Sequence, residues 1–274
     1  MARNWVRALP IVVAVAVIGA GAALGFGRAE PPVVPETVTL SAGAPKGASV
    51  VGTWKAGPPP TPTSFAVADA TVGLVHLFAQ PGSIGLGAVA GKPAVPLAAR
   101  PTMDNPTWEH LPVVFLVLQD KGAWLHVRVS SRPNNLTAWV ARSEVRLRTV
   151  PNHVVVQVGA RRITVYHGDT VLLQDTVAVG TDRTPTPLGN FFVDGAVHVP
   201  YDTGPYGPFQ VSVSGFSNVL SSFGGGIGQI ALHGTNHPQL LGQAVSNGCI
   251  RMANTTITKV VQLAPLGTPV DVVA

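Results

Sequence analysis

The sequence predicts a mainly β protein, and three observations carry that expectation. Glycine and proline are abundant, at 30 and 25 of 274 residues. Val and Thr recur in short runs, and β-branched side chains suit a pleated surface better than a helix. Turn chemistry separates these runs at close intervals. With 46% hydrophobic and 11% charged residues, the chain can bury a domain-sized core, which excludes disorder throughout. The formal net charge of +5 suits an anionic partner, but no Lys/Arg run with interleaved aromatics occurs, so no nucleic-acid partner is expected and the charge is read as solubility.

Residues 1–28 open with Arg3 and Arg7, followed by an uncharged apolar stretch from Ala8 to Gly27. About 20 helical residues cross a hydrocarbon layer of roughly 30 Å, so this stretch is expected to be a hydrophobic helix that anchors the chain in a membrane. The basic residues before it place the N-terminus inside. Ala20-Gly21-Ala22 also offers a signal-peptide cleavage pattern. Both readings export everything beyond Arg28, so the protein is expected to be membrane-anchored or secreted with its working part extracytoplasmic. Residues 29–66 hold PPVVP, GPPP and TPT with little periodicity and read as an extended linker.

Within residues 67–150, the runs VVFLVL (Val113 to Leu118) and WLHVRV (Trp124 to Val129) are separated by Asp120-Lys121-Gly122 and followed by Arg132-Pro133-Asn134-Asn135. This pattern predicts a small β-barrel. The stretch GAWLHVRVSSRPNNLTAWV resembles the bacterial SH3-like modules of wall-associated proteins, with a plain structural spacer as the other reading. Residues 151–274 form a second domain. HVVVQV is followed by RRITVYHGDTVLLQDTVAV, where His167-Gly168-Asp169-Thr170 is a hairpin turn. NTTITKVVQLAPLG predicts a helix in which Asn254 or Thr255 caps the start, Ile257, Val260, Val261 and Ala264 share a face, and Pro265 with Gly267 ends it.

Cys249, in the stretch SNGCIRM, is the only cysteine. It cannot form an internal disulfide, which leaves an intermolecular bridge, an inert buried thiol or a nucleophile. A nucleophilic thiol needs a base, donors for the developing oxyanion, and open backbone beside it. Gly248 removes a side chain next to the sulfur, and the amides around Asn247, Gly248 and Cys249 can converge on one oxygen. The candidate bases are His233 and His237 in QIALHGTNHPQ. No acidic residue occurs from Thr203 to Val270, so a backbone carbonyl, that of Gly234, is the expected partner holding the histidine tautomer. The same gap leaves the site positive, with Arg251 placed to pair with a substrate carboxylate. Tyr201, Tyr206 and Phe209, in VPYDTGPYGPFQ, line a cleft or pack.

HGTNHPQLLGQAVSNGCIRM resembles the signature of the L,D-transpeptidase catalytic domain, also called the YkuD domain: a His-Gly-Thr start, then Ser-x-Gly-Cys-Ile-Arg-Met. TPTPLGNFFV resembles the family's Thr-Pro-x-Gly-x-Phe segment, and LAPLGTPVDVV its closing helix and strand. The likeness covers about His153 to Val273. It implies a β-sandwich with one or two short helices and a cysteine enzyme acting on peptidoglycan stem peptides without metal or nucleotide. A monomer is expected. By position, the resemblance makes Cys249 the nucleophile and His233 the base, with Ser246, Asn247, Gly248 and Gly234 framing the site and Arg251, Thr235, Tyr201 and Tyr206 facing substrate. Asn247 stands where many members carry a second histidine, and Thr256 where an aspartate often follows.

Three rivals remain at this level: a wall-peptide hydrolase of the same build, a metal site of His233, His237 and Cys249 with His198, and a non-catalytic wall-binding protein. Because both domains lie beyond Arg28, removal of residues 1–28 is expected to give a soluble protein that retains acyl-transfer activity, as measured on the purified protein with and without that segment.

Overall fold

The computed structural model describes residues 62–82, 94–98, 100–200 and 203–274. The expected anchor, nearly all of the expected linker, and Tyr201 lie outside the described residues. Among the described residues no helix is long and apolar enough to cross a membrane.

The first half of the described chain is antiparallel β. Its strands are β1 (Phe65–Ala70), β2 (Leu74–His76), β3 (Phe78–Gln80), β4 (Val95–Pro96), β5 (Thr102–Asp104), β6 (Val114–Lys121), β7 (Trp124–Arg128), β8 (Thr137–Ala141) and β9 (Val145–Val150). Seven of them form one sheet in the order β4-β3-β8-β7-β6-β1-β9, and β2 pairs with β5. Strand β1 begins inside the segment expected to be linker. Alternation decides which side is core: Leu125 and Val127 are fully buried, whereas His126 and Arg128 between and beyond them are only partly so. Asp120-Lys121-Gly122 makes the β6–β7 turn, with Gly122 N–H donating to Asp120 Oδ1 at 2.9 Å.

The second half contains β10 (His153–Gln157), β11 (Arg162–His167), β12 (Thr170–Thr176), β13 (Val179–Gly180), β14 (Gly189–His198), β15 (Phe209–Phe216), β16 (Gln229–His233), β17 (Ala244–Ser246), β18 (Ile250–Arg251), helix α1 (Asn254–Leu263) and β19 (Pro269–Val273). Eight strands form one mixed sheet in the order β12-β11-β10-β19-β14-β15-β16-β18, and β13 pairs with β17 as a separate ribbon. The β10–β19 and β16–β18 pairs are parallel. The hairpin at His167–Thr170 forms as the turn residues predict. Helix α1 buries Ile257 and Val260, with Ala264 at its C-cap and Val261 half-buried, in one core with Val211, Val213, Ile230, Leu232 and Met252. Its start corrects the sequence reading: Ala253 is the N-cap and no side chain caps it. Asn254 Oδ1 accepts the Thr235 N–H at 2.9 Å.

The two sheets share apolar contacts. Val67, Val114, Leu116 and Val150 of the first pack with Phe192 and Leu266 of the second, and Arg148 Nη2 donates to Leu266 O at 2.8 Å. Gly267 lies in this seam at φ +87°, where an added Cβ would sit 2.5 Å from both Val67 γ-carbons. Gly267→Ala therefore combines a disfavoured backbone with overpacking and is expected to cost roughly 1–3 kcal/mol. Gly122→Ala, with a similar φ but open space around it, is expected to cost only the backbone part, about 1 kcal/mol. Urea denaturation of the two variants compares them.

Candidate active site

The parallel pairing of β16 with β18 assembles the site. Its register sets Leu232 against Ile250 and His233 against Arg251, and Met252 N–H donates to His233 O at 2.9 Å. One residue back, Cys249 stands beside Ala231, whose backbone N–H faces the sulfur. His233 follows Ala231 by two residues, so both side chains point to the same face of β16.

His233 is buried at 3% exposure. Its Nδ1 lies 2.6 Å from Gly234 O. A carbonyl only accepts, so Nδ1 carries the proton and Nε2 presents a lone pair. Burial depresses the imidazole to about 4, the Gly234 carbonyl opposes that shift, and Arg251 adds to it. Cys249 is partly exposed, yet its surroundings push the thiol above its usual range, offset in part by the Ala231 N–H and the Arg251 charge. Near neutral pH the pair is therefore imidazole and thiol, not imidazolium and thiolate.

The turn before Cys249 is fastened at every carbonyl but that of the exposed Asn247. Ser246 Oγ donates to Cys249 O at 2.6 Å and accepts from Gly248 N–H at 3.1 Å. Ser246 O accepts from Thr181 N–H (3.1 Å) and Thr184 Oγ1 (3.0 Å). Gly248 O accepts from Thr186 Oγ1 at 2.9 Å, and that hydroxyl accepts from Gly180 N–H at 2.9 Å. Gly248 sits at φ +114°, which excludes a side chain there. One sequence expectation is thereby corrected: the Gly248 amide is committed to Ser246 and is not free for an oxyanion. The roles of Thr184 and Thr186 were missed, although a signal for them exists. Each precedes a proline, which enforces extended backbone and puts alternate hydroxyls on one side.

The remaining candidates separate into site and periphery. Tyr206 lays its ring edge against His233, with centroids 5.0 Å apart and planes at 63°; its phenol is pushed up by burial and then by the proximity of Cys249. Arg251 is bridged through its backbone to Ala178 at 2.9 and 2.8 Å, and its Nε is buried without a hydrogen-bond partner. Gly234 packs so closely that a Cβ there would come within 2.3 Å of Asn254 Oδ1. Thr235 spends its hydroxyl on the His237 N–H at 3.0 Å, within its own turn. His237 is exposed and bonded to Gln239, and His198 packs on Phe209. Among the described residues no three His, Cys, Asp or Glu side chains are grouped to hold a metal ion.

The sequence profile described as the L,D-transpeptidase catalytic domain, YkuD, matches residues 151–272. The YkuD protein of Bacillus subtilis is 34% identical over 124 residues, 45% of this chain and 67% of that protein. The chain belongs to the YkuD L,D-transpeptidase family. YqjB of Bacillus subtilis is 35% identical over 103 residues, covering 35% of this chain and 56% of YqjB. Among solved structures, an L,D-transpeptidase from Mycobacterium smegmatis matches at 18% identity and TM-score 0.35 over 57% of this chain and 80% of that one. Bd1075 of Bdellovibrio bacteriovorus matches at 21% identity and TM-score 0.35 over 44% of this chain and 47% of its own.

In this family member the depressed pKa of His233 makes stability pH-dependent. An unfolded histidine titrates near 6.5, so between about 4 and 6.5 the unfolded chain binds more protons than the folded one, and stability falls as pH is lowered through that window. His233→Gln is expected to flatten this slope, measured as the urea midpoint against pH. Thr186→Val, which keeps the shape but removes the hydroxyl from Gly248 O and Gly180 N–H, is expected to cost about 1–3 kcal/mol and to slow reactions of Cys249, read by urea denaturation and thiol alkylation.

Proposed function

We propose that this chain is an exported peptidoglycan L,D-transpeptidase, a cysteine acyltransferase that crosslinks tetrapeptide stems through an acyl-enzyme on Cys249. The observation that carries this reading is the oriented His233: Gly234 O holds its Nδ1 proton, which leaves Nε2 as a lone pair, and it sits two residues along the strand from Ala231, whose N–H faces the sulfur of Cys249. Family membership supports the reaction class, and the family's substrates are peptidoglycan stem peptides.

Cys249 attacks the carbonyl of an L-to-D peptide bond in the donor stem while Nε2 of His233 takes the thiol proton. Because both groups start neutral, charge separates only as the new C–S bond forms. With the Gly248 amide occupied, the Asn247 and Cys249 amides are the donors for the developing oxyanion. Collapse expels the terminal D-residue, which leaves with the proton from His233 and yields a thioester. A side-chain amine of a second stem attacks the thioester, gives a proton to His233, and the thiolate leaves and is reprotonated. The positive charge of half-buried Arg251 suits a donor carboxylate, since no acid of the 203–270 segment competes for it. Export, anchoring by residues 1–28 and a monomeric state complete the proposal.

Intact mass analysis with a tetrapeptide donor tests it: an acyl adduct on Cys249 is expected, then crosslinked product when an acceptor amine is present. Hydrolysis alone, with acceptor in excess, would point to a carboxypeptidase. Cys249→Ala is expected to abolish the adduct with the fold intact. His233→Gln is expected to slow acylation by about 10²- to 10⁴-fold, and His237→Gln to do little. Arg251→Lys keeps charge but loses the planar fork, so it is expected to weaken binding of carboxylate-bearing donors more than it slows alkylation of Cys249. An essential His237 with a dispensable His233 would overturn the assignment.

A further inference from the structure

The turn between β7 and β8 reaches across to the second sheet and makes two clamps that the acyl-transfer chemistry does not use. In the first, Ser130 Oγ donates to Asp194 Oδ2. The same carboxylate accepts from Ser212 Oγ at 2.7 Å and from Gln229 Nε2 at 2.7 Å. Asp194, Ser212 and Gln229 belong to β14, β15 and β16, so one carboxylate ties the first sheet to three neighbouring strands. Burial pushes that carboxyl up against the pull of its three neutral donors. The charged side chain facing it is Glu109, on the loop before β6, itself pushed up by burial and by Asp194.

In the second clamp, Arg132 Nη1 donates to Ser217 O at 2.7 Å, and Nη2 to Leu220 O and Ile227 O at 3.0 Å each. These carbonyls stand on both sides of the hairpin 217–228, whose base is closed by Ser217 N–H donating to Gly228 O at 2.8 Å. The guanidinium also lies 5.1 Å from the Phe216 ring centroid. Asn134 reinforces the grip, donating to Phe216 O and accepting from Phe216 N–H, both at 2.8 Å.

Both clamps close beside a break in the sheet. The β15–β16 ladder runs regularly from Gln210↔His233 to Ser212↔Ala231, then breaks and resumes at Phe216↔Gln229, so residues 213–215 stand opposite Ile230 alone. Ladder hydrogen bonds do not set the position of β16 across such a break. Yet this stretch of β16 borders the turn that carries the sulfur: the Ile230 side chain lies 3.6 Å from where a Gly248 Cβ would be, Ala231 N–H faces the thiol, and His233 ends the strand. On its other edge β16 has only the two-residue pairing with β18.

We propose that Ser130 and Arg132 of the first sheet are positioning residues for Cys249, holding the broken β15–β16 pairing in register so that the Ala231 N–H stays on the sulfur and His233 keeps its place on the same strand. The first sheet is thereby part of the catalytic unit. The effect on turnover rests on the acyl-transfer reading; the effect on the thiol does not.

The test uses the full chain, in which Cys249 is the sole cysteine, so alkylation by iodoacetamide reports on that thiol alone. Ser130→Ala, Arg132→Ala and Arg132→Lys are compared with the parent for melting temperature, for alkylation rate against pH, and for kcat and KM with a tetrapeptide donor. Misplacement of reacting groups by about 1 Å can cost about 10²-fold, so Arg132→Ala is expected to lose about that much in kcat with KM little changed. Its alkylation midpoint should move to higher pH as the Ala231 N–H is withdrawn from the sulfur. Arg132→Lys, which keeps a cation near Phe216 and bonds one carbonyl, should fall between. Should Arg132→Ala not fold, Ser130→Ala and Arg132→Lys carry the comparison. Variants that melt earlier but match the parent in alkylation profile and kcat, measured well below their melting temperatures, would overturn the proposal. A parent without acyl transfer would sink the functional reading instead, leaving the alkylation profiles to decide the positioning role.

Discussion

The parallel contact between β16 and β18 is the constraint on which the rest of the site depends. It pairs only Leu232 with Ile250 and His233 with Arg251, and a two-residue ladder has little intrinsic stability. The surrounding structure supplies what the ladder lacks. Arg251 is bridged to Ala178 and Met252 to His233 through backbone bonds. The 180–186 segment holds the turn before Cys249 by its carbonyls, and helix α1 packs directly after β18 with Ile257 and Val260 in the core. Each device limits motion of the strand end that carries His233 and of the turn that carries Cys249.

The electrostatics of this pair follow from burial without a carboxylate. His233 is oriented by a carbonyl dipole, which fixes the tautomer but carries less charge than an aspartate would, so desolvation dominates and the ring stays neutral. Arg251 favours thiolate and disfavours imidazolium, leaving the thiol's burial to set its resting state. A site built this way stores no ion pair at rest.

The first sheet is joined to this machinery by apolar and polar contacts alike. Phe192, whose neighbours on β14 include Asp194, is buried among Val67, Val114, Leu116 and Val150, so displacement of the first sheet would expose a fully buried aromatic ring. Part-buried hydrogen bonds such as Arg148 to Leu266 O add direction to that attachment.

Local pattern alone made several features legible: the hairpin at His167–Thr170, the helix face on which Ile257 and Val260 are buried and Val261 half-buried, and the His-Gly-Thr and Ser-x-Gly-Cys-Ile-Arg signatures. These depend on residues a few positions apart, where backbone sterics and periodicity act directly on sequence. The tertiary structure decided the partners. Thr186 holds Gly248, Asn254 accepts from Thr235 instead of capping its own helix, and Ser130 with Arg132 braces the strand leading to Ala231. Their partners lie far along the chain and become neighbours only through strand order and register, and a hydroxyl, amide or guanidinium has no sequence signature for which distant carbonyl it will meet.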